Sequence, residues 1–213
     1  MGRLLRLVFF GAFLVIASTN GWAKTKGVTV TEQDVLTCNG SNGSTSAQQV
    51  AACTKLLGSG KIKHPHEGDF YAMRAAAFFS LKAHDKALAD LNKAVTFRQT
   101  PEIYFQRALL HMAMQSGDAA KADLAQVMKM KPTFAPAYFM RGLVSYEAAD
   151  YAEAVTYFDN AVQRLPTYYQ AIYARGVAKA KAGDQDGSAK DIKVAKGMSD
   201  QVEADMEKLG LAL

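Results

Sequence analysis

Four arginines recur at intervals of 33, 34 and 34 residues, at Arg74, Arg107, Arg141 and Arg175. Three of them are followed sixteen residues later by an aspartate, at Asp90, Asp123 and Asp191. A guanidinium binds a carboxylate through two parallel hydrogen bonds, so this spacing favours ion pairs between two packed helices. A row of arginines that binds anions is the alternative.

The third arginine departs from this pattern. Tyr157 stands where an aspartate would follow Arg141. We therefore expect Arg141 to be the arginine most available for another role.

Two cysteines, Cys38 and Cys53, stand fifteen residues apart, and a stretch rich in glycine and serine separates them. An even number of cysteines at short spacing favours a disulfide in an oxidising compartment. A reactive thiol is the alternative, and it would need a base beside it to lower its pKa. We expect the disulfide.

Other chemistry has little support. His64, His66 and Glu67 are residue types that ligate metals, but Pro65 keeps the segment extended and no further ligand lies nearby in the sequence. The sequence has no glycine-rich phosphate loop, no Gly-x-Ser-x-Gly and no His-Glu-x-x-His. We therefore expect no metal, no cofactor and no catalysis.

The arginines belong to a longer repeating pattern. A small residue follows each of them, at Ala75, Ala108, Gly142 and Gly176. A large residue precedes each by three, at Tyr71, Tyr104, Tyr138 and Ile172. Another small residue comes thirteen positions later, at Ala87, Ala120, Ala154 and Ser188. Two apolar stripes at helical spacing in each unit predict paired helices, which must stack on neighbouring units to bury both stripes.

This pattern resembles the tetratricopeptide repeat, which has a period of 34 residues and a closing proline. Pro132 and Pro166 occupy that closing position in the second and third units, whereas Gln99 and Asp200 stand there in the first and fourth. The resemblance, which is to exported bacterial tetratricopeptide proteins in particular, implies an all-α fold. We expect a right-handed α-solenoid of helix-turn-helix repeats, with a disulfide-tied N-terminal helix and a C-terminal capping helix.

The same register predicts the organisation of the chain. We expect four repeats within residues 67–200, at 68–100, 101–134, 135–168 and 169–200. An N-terminal segment at 24–66 precedes them and a C-terminal cap at 201–213 follows. Within the N-terminal segment, residues 24–45 show no periodicity and predict a loop, whereas Ser46 to Leu57 predict one amphipathic helix.

The resemblance also implies a concave groove lined by the first helix of each repeat. Carried over by register, its apolar and aromatic positions are Phe79, Phe105, Leu109, Met112, Phe139, Leu143, Tyr146 and Tyr173. Lys181 is the only basic residue at the groove positions, which argues against a groove that clamps a C-terminal carboxylate. An apolar surface of this length favours a docked protein or peptide partner. A flanking helix of this chain or a second copy of it are the other occupants.

The N-terminus has the features of a secretory signal. Arg3 and Arg6 precede an eleven-residue apolar run, and Ala23 ends a cleavage-like stretch. We expect residues 1–23 to be a signal peptide that is cleaved after about Ala23, although an uncleaved anchor is the alternative. The run is shorter than the ~20 residues of a transmembrane helix, so we expect no stable membrane span after cleavage.

Composition and charge restrict the function further. Hydrophobic residues make up 49% of the 213 residues, which excludes a chain that is disordered throughout. Cleavage would remove two arginines and no acidic residue, lowering the net charge from +5 to +3. This small excess is spread along the chain, so we expect no nucleic-acid partner.

The sequence therefore predicts a periplasmic or secreted scaffold that binds a protein or peptide partner in an apolar, aromatic groove without catalysis. A carrier of an apolar small ligand or lipid in the same groove is one alternative. A self-associating structural protein is the other.

Overall fold

The secondary structure consists of helices alone over residues 29–64 and 66–211, which are the residues described by the computed structural model. In these ranges lie α1 (Glu32–Cys38), α2 (Ser46–Gly58), α3 (His66–Ser80), α4 (His84–Phe97), α5 (Pro101–Ala113), α6 (Gly117–Met130), α7 (Ala135–Glu147), α8 (Tyr151–Arg164), α9 (Tyr169–Lys181), α10 (Gln185–Met198) and α11 (Val202–Lys208). The predicted all-α fold is confirmed. The predicted signal peptide at residues 1–23 lies outside the described residues.

The helices form two compact units, an N-terminal unit of residues 29–64 and 66–110 and a C-terminal unit of residues 111–211. In the N-terminal unit, α2 packs against α1 and α3, and α3 packs against α4. In the C-terminal unit, α6 to α10 pack each against the next along the chain, and α11 packs mainly on α9. Within each unit, these helices pack against their neighbours along the chain, as the stacking of short repeats requires.

Small residues allow the paired helices to approach closely. A Cβ atom added at Gly142 on α7 would lie 2.6 Å from the ring of Phe158 on α8. One added at Gly176 on α9 would lie 2.9 Å from Ile192 on α10. Since these distances are below van der Waals contact, any larger side chain at Gly142 or Gly176 would push its helix pair apart.

The loop predicted for residues 24–45 is wrong in its central part, because Glu32–Cys38 form α1. Thr31 and Asp34 form a capping box, in which the Thr31 hydroxyl accepts from the Asp34 amide and the Asp34 carboxylate accepts from the Thr31 amide. This signal is local and does not depend on periodicity. A seven-residue helix is too short to show a repeating apolar stripe, which is why the apolar pattern did not reveal it.

The predicted disulfide joins Cys38 at the end of α1 to Cys53 in α2, with their Cα atoms 4.9 Å apart. Both residues are buried, so the alternative of a reactive thiol is wrong. They belong to a core with Ala52, Leu56, Ile62 and Phe70, against which Val30, Val35, Leu57 and Met73 pack.

The C-terminal cap also follows the sequence prediction. Helix α11 buries Val202 and Met206, and Leu209 and Leu211 are buried immediately after it. The charged residues Glu203 and Glu207 of the same helix remain exposed. An apolar inner side and a polar outer side are what a terminal helix of a repeat stack needs.

The turn between paired helices has the same geometry four times. Lys82, Gln115, Ala149 and Gly183 follow α3, α5, α7 and α9 and all have positive φ. In each turn the next amide donates to a carbonyl five residues earlier, as from Asp150 to Ser145 and from Asp184 to Lys179. This is the Schellman arrangement, which ends a helix through one left-handed residue. Glycine is the residue best suited to that position, and Gly183 alone supplies it.

We expect Ala149→Gly to stabilise the protein by about 0.5–1 kcal/mol, because glycine relieves the steric cost of a φ of 59°. We expect Gly183→Ala to destabilise it by about 1 kcal/mol, although nothing lies within 4 Å of the added Cβ. Urea unfolding of both variants measures these changes. Equal shifts in the same direction would contradict the assignment of the effect to the backbone.

Candidate functional site

The arginine of the last repeat joins three helices. Arg175 on α9 donates from Nε and Nη2 to the two carboxylate oxygens of Asp191 on α10, at 2.8 and 2.7 Å. Its Nη1 donates to Asp159 on α8 at 2.6 Å. We call this arrangement an arginine bridge: an arginine, its aspartate on the following helix and a polar residue on the preceding helix.

The N-terminal unit repeats this geometry. Arg74 on α3 donates to both carboxylate oxygens of Asp90 on α4, at 2.7 and 2.8 Å. Its Nη1 donates to Thr54 of α2 at 3.0 Å. Arg107 on α5 likewise reaches back from Nη1 to Asn92 of α4 at 2.9 Å. The predicted ion pairs of Arg74 and Arg175 are therefore confirmed.

The backward contacts were not predicted from the sequence. A weak signal for two of them exists, since Asn92 and Asp159 precede Arg107 and Arg175 by fifteen and sixteen residues. Arg74 and Arg175 each use Nε and both terminal nitrogens within the protein. The geometry therefore favours a structural role for these two arginines over the alternative of an anion-binding row.

The expectation that Arg141 is available for another role is wrong. Its Nη2 donates to Glu153 on α8 at 2.7 Å, and its Nη1 donates to the hydroxyl of Ser145 at 2.7 Å. Its guanidinium also lies 4.6 Å from the ring centroid of Tyr157. Tyr157 stands where the other repeats have the aspartate, and Ala125 stands sixteen residues before Arg141, as Asp159 does before Arg175. The arginine therefore pairs one turn earlier on α8.

These contacts change the pKa values of the groups involved. Burial opposes ionisation of Asp191, but hydrogen bonds from Arg175 and Lys179 outweigh it and lower the pKa of the carboxyl below 3.8. The hydrogen bonds to Asp191 in turn raise the pKa of Arg175. For Glu153, the hydrogen bond from Ser145 has the largest effect, and with the hydrogen bond from Arg141 it outweighs burial and lowers the pKa of the carboxyl.

The eight predicted groove residues divide between the two units. Phe79, Phe105 and Leu109 belong to the N-terminal unit, and Met112, Phe139, Leu143, Tyr146 and Tyr173 belong to the C-terminal unit. Phe79 and Tyr146 are half-buried, and the other six are buried. Phe79 and Tyr146 are therefore the two of these side chains with most surface in solvent.

Two of the buried residues have identifiable neighbours. The Phe139 ring lies 5.7 Å from Phe158 and 5.1 Å from Tyr168, centroid to centroid. Burial first, and then the negative charges of Glu203 and Glu207, raise the pKa of Tyr173. Helix α11 packs on α9, which carries Tyr173, so both Phe139 and Tyr173 contribute to packing within the C-terminal unit.

Tyr146 lies near the end of α7, where the chain turns into α8. Its ring meets that of Tyr151 edge-on, with centroids 5.4 Å apart, and burial raises its pKa. Glu147 beside it is exposed. An aromatic pair with an apolar body and a wet polar edge is typical of residues that anchor protein partners.

The histidine-rich segment does not assemble a metal site. The His64 ring lies 4.8 Å from Phe97, and His66 Nδ1 lies 3.7 Å from Asp69 Oδ2. Across residues 29–64 and 66–211, no three His, Cys, Asp or Glu side chains come together as metal ligands. None of the described helices has the length and apolar character needed to cross a bilayer.

Comparison with known proteins identifies the repeats. The sequence profile of the family described as Tetratricopeptide repeat matches residues 101–134 and 135–168. The chain contains tetratricopeptide repeats. One curated protein with sequence similarity is the serine/threonine-protein phosphatase T of Trypanosoma brucei brucei, 27% identical over 100 residues. This match spans 47% of the chain and 21% of that protein, so it covers about a fifth of the phosphatase.

Solved tetratricopeptide structures have the same fold. A MamA crystal structure superposes with a TM-score of 0.68 at 18% identity, covering 76% of this chain and 92% of that one. MamA from residue 41 to its end, from Desulfovibrio magneticus RS-1, gives a TM-score of 0.70 at 13% identity, covering 81% and 98%. YrrB, described as a TPR protein with an unusual peptide-binding site, gives 0.66 at 14% identity, covering 83% and 88%. At these identities the similarity concerns the fold.

Loss of the Asp191 charge tests the arginine bridge. We expect Asp191→Asn to destabilise the protein by about 2–4 kcal/mol at pH 7, because Arg175 and Lys179 lose a buried counter-ion. The folded pKa of Asp191 lies below its unfolded value, so its contribution is complete above about pH 4 and is lost as the pH falls further. The difference between wild type and variant should therefore shrink in acid.

Asp159→Asn is the matched control, because Asp159 contacts the same arginine from a side chain that is 43% exposed. We expect an effect below about 1 kcal/mol from this variant. Urea unfolding at pH 7 and pH 3 measures both. Equal losses from Asp159→Asn and Asp191→Asn would contradict the assigned importance of burial.

Proposed function

We propose that this chain is a non-catalytic scaffold that binds an apolar segment of a protein partner on the face formed by α7 and α9 of its C-terminal unit. The observation that carries the proposal is the row of apolar and aromatic side chains on α7 and α9, with Tyr146 half-buried at its edge. Phe139, Leu143 and Tyr173 are buried and support this face from inside the unit, and Tyr146 is its accessible anchor. Phe79, Phe105, Leu109 and Met112 occupy the equivalent positions of the repeat register on α3 and α5.

The arginine bridges support a binding role because they hold the helices in place before a partner arrives. A preformed surface loses less conformational entropy on binding than one that must first become ordered. Aromatic side chains in such a surface supply most of the binding energy, and neighbouring contacts exclude water. YrrB, with a similar fold, is described as having a peptide-binding site, which is in keeping with this role.

The proposal includes the organisation of the chain and its location. We infer four repeats at 68–100, 101–134, 135–168 and 169–200, supported by the four left-handed turns at equivalent positions. They follow the N-terminal segment at 24–66 and precede the cap at 201–213. The disulfide and the signal-like residues 1–23 support export to the periplasm or beyond the cell. Phosphatase chemistry is no part of the proposal, because the phosphatase match covers a fifth of that protein.

A photoreactive phenylalanine analogue at Tyr146, introduced in living cells, tests the docking face. We expect a discrete heavier species that mass spectrometry identifies as the chain joined to one partner protein. Tyr146 suits this experiment better than Phe139, which is 2% exposed. Gln163 is the matched control, since it is exposed on α8 of the same unit and should give no adduct.

Three other results would contradict the proposal. An adduct of twice the mature mass would indicate self-association. Adducts of equal intensity from Tyr146 and Gln163 would indicate unspecific contact. No adduct, together with lipid recovered by organic extraction of the purified protein, would indicate a carrier of an apolar ligand.

A further inference from the structure

The attachment of α1 to the rest of the N-terminal unit depends on very few contacts. The helix has seven residues, and Cys38 is the only one of them that is buried. Isolated helices shorter than about 12 residues are marginal in water, so α1 requires tertiary contacts to remain folded. It packs mainly on α2, with a smaller contact to α3.

The disulfide is the strongest of these contacts. The other links include the ion pair of Asp34 with Lys55 at 2.8 Å, the partly buried Val30 and Val35, and hydrogen bonds that Asn42 and Ser44 donate to Thr37. The Lys55 side chain is 40% exposed, and ion pairs in solvent contribute little to stability. Loss of the disulfide would therefore remove most of what holds α1 in place.

Helix α2 is attached differently. It has thirteen residues, nearly twice the length of α1, and it packs against α3 as well as α1. Thr54 on α2 accepts a hydrogen bond from Arg74 on α3 at 3.0 Å, which does not involve the disulfide. Leu56 and Phe70 belong to the core shared by the two helices. Helix α2 therefore has contacts that would persist without α1.

We propose that α1 is a redox-releasable cover of α2. A dithiol reductant donates two electrons to the Cys38–Cys53 bond and becomes a disulfide itself, and its two protons leave Cys38 and Cys53 as thiols. Helix α1 then unfolds locally, and the side of α2 that carries Cys53 becomes accessible to solvent. Helices α2 and α3 stay packed. This inference concerns the N-terminal end and is independent of the proposed docking face.

Hydrogen exchange of the mature chain, read by mass spectrometry with and without dithiothreitol, tests the proposal. We expect amides of residues 32–38 to exchange at least about tenfold faster after reduction, because the closed loop no longer restricts the unfolded segment. Amides of α2 and of α3 should keep their protection within about twofold. Native-state labelling of the reduced protein with a maleimide should modify both cysteines.

The double variant Cys38→Ala/Cys53→Ala is the matched control. Its α1 amides should exchange rapidly in both conditions, and dithiothreitol should have no effect on them. Unchanged protection of α1 in protein shown to be fully reduced would overturn the proposal. Loss of protection across α2 and α3 together with α1 would also overturn it, since the disulfide would then support the whole unit.

Discussion

The arginine bridge is the interaction on which the relative placement of these helices depends. Hydrophobic burial is non-directional, and helices lined with alanine could slide or rotate against each other at small cost. A guanidinium that forms two parallel hydrogen bonds to one carboxylate has a defined orientation. Asp90 and Asp191 are buried, so each must keep its arginine, because an unpaired buried carboxylate is strongly destabilising. The hydrogen bond from Nη1 to the preceding helix then fixes the position of that helix relative to the arginine.

The third repeat shows how far this arrangement tolerates change. With Tyr157 in place of the usual aspartate, Arg141 binds Glu153 and the buried Ser145. The Tyr157 ring packs against the guanidinium, at the position from which an aspartate binds the arginine in two other repeats. The helix pair is still held by an arginine with a carboxylate on its partner helix. The need to satisfy a partly buried cation is therefore the constant feature, and the position of the anion is not.

The two ends of the described chain are closed by different means. At the C-terminal end, α11 packs mainly on α9 and buries Val202 and Met206, so hydrophobic burial stabilises it without a covalent bond. At the N-terminal end, α1 has only Cys38 to bury, and a covalent bond replaces the missing apolar area. A short helix with one buried residue cannot offset the entropy of ordering it without such a bond. The difference connects the stability of the N-terminal end to an oxidising environment.

The sequence by itself determined the features that depend on spacing. The 34-residue period, the paired helices, the aspartates sixteen residues after Arg74 and Arg175, and the disulfide all follow from residue types at fixed intervals. Helix α1 begins with a capping box, which a search for periodic apolar residues does not detect. The left-handed turns at Lys82, Gln115 and Ala149 could not be predicted, because no glycine occupies the left-handed position. Packing of the helix pair imposes there a conformation that the residue itself does not favour.

Only the tertiary structure decided which side chains remain accessible and where each arginine turns. The repeat register predicted that Phe139 and Tyr173 line a groove, but it could not show that both are buried. Phe139 packs against Tyr168, and α11 packs on the helix that carries Tyr173. It also left Arg141 without a partner, since Glu153 is twelve residues away and breaks the repeating interval. Intervals describe one repeat at a time, whereas burial and ion pairing depend on all the helices that meet at a point.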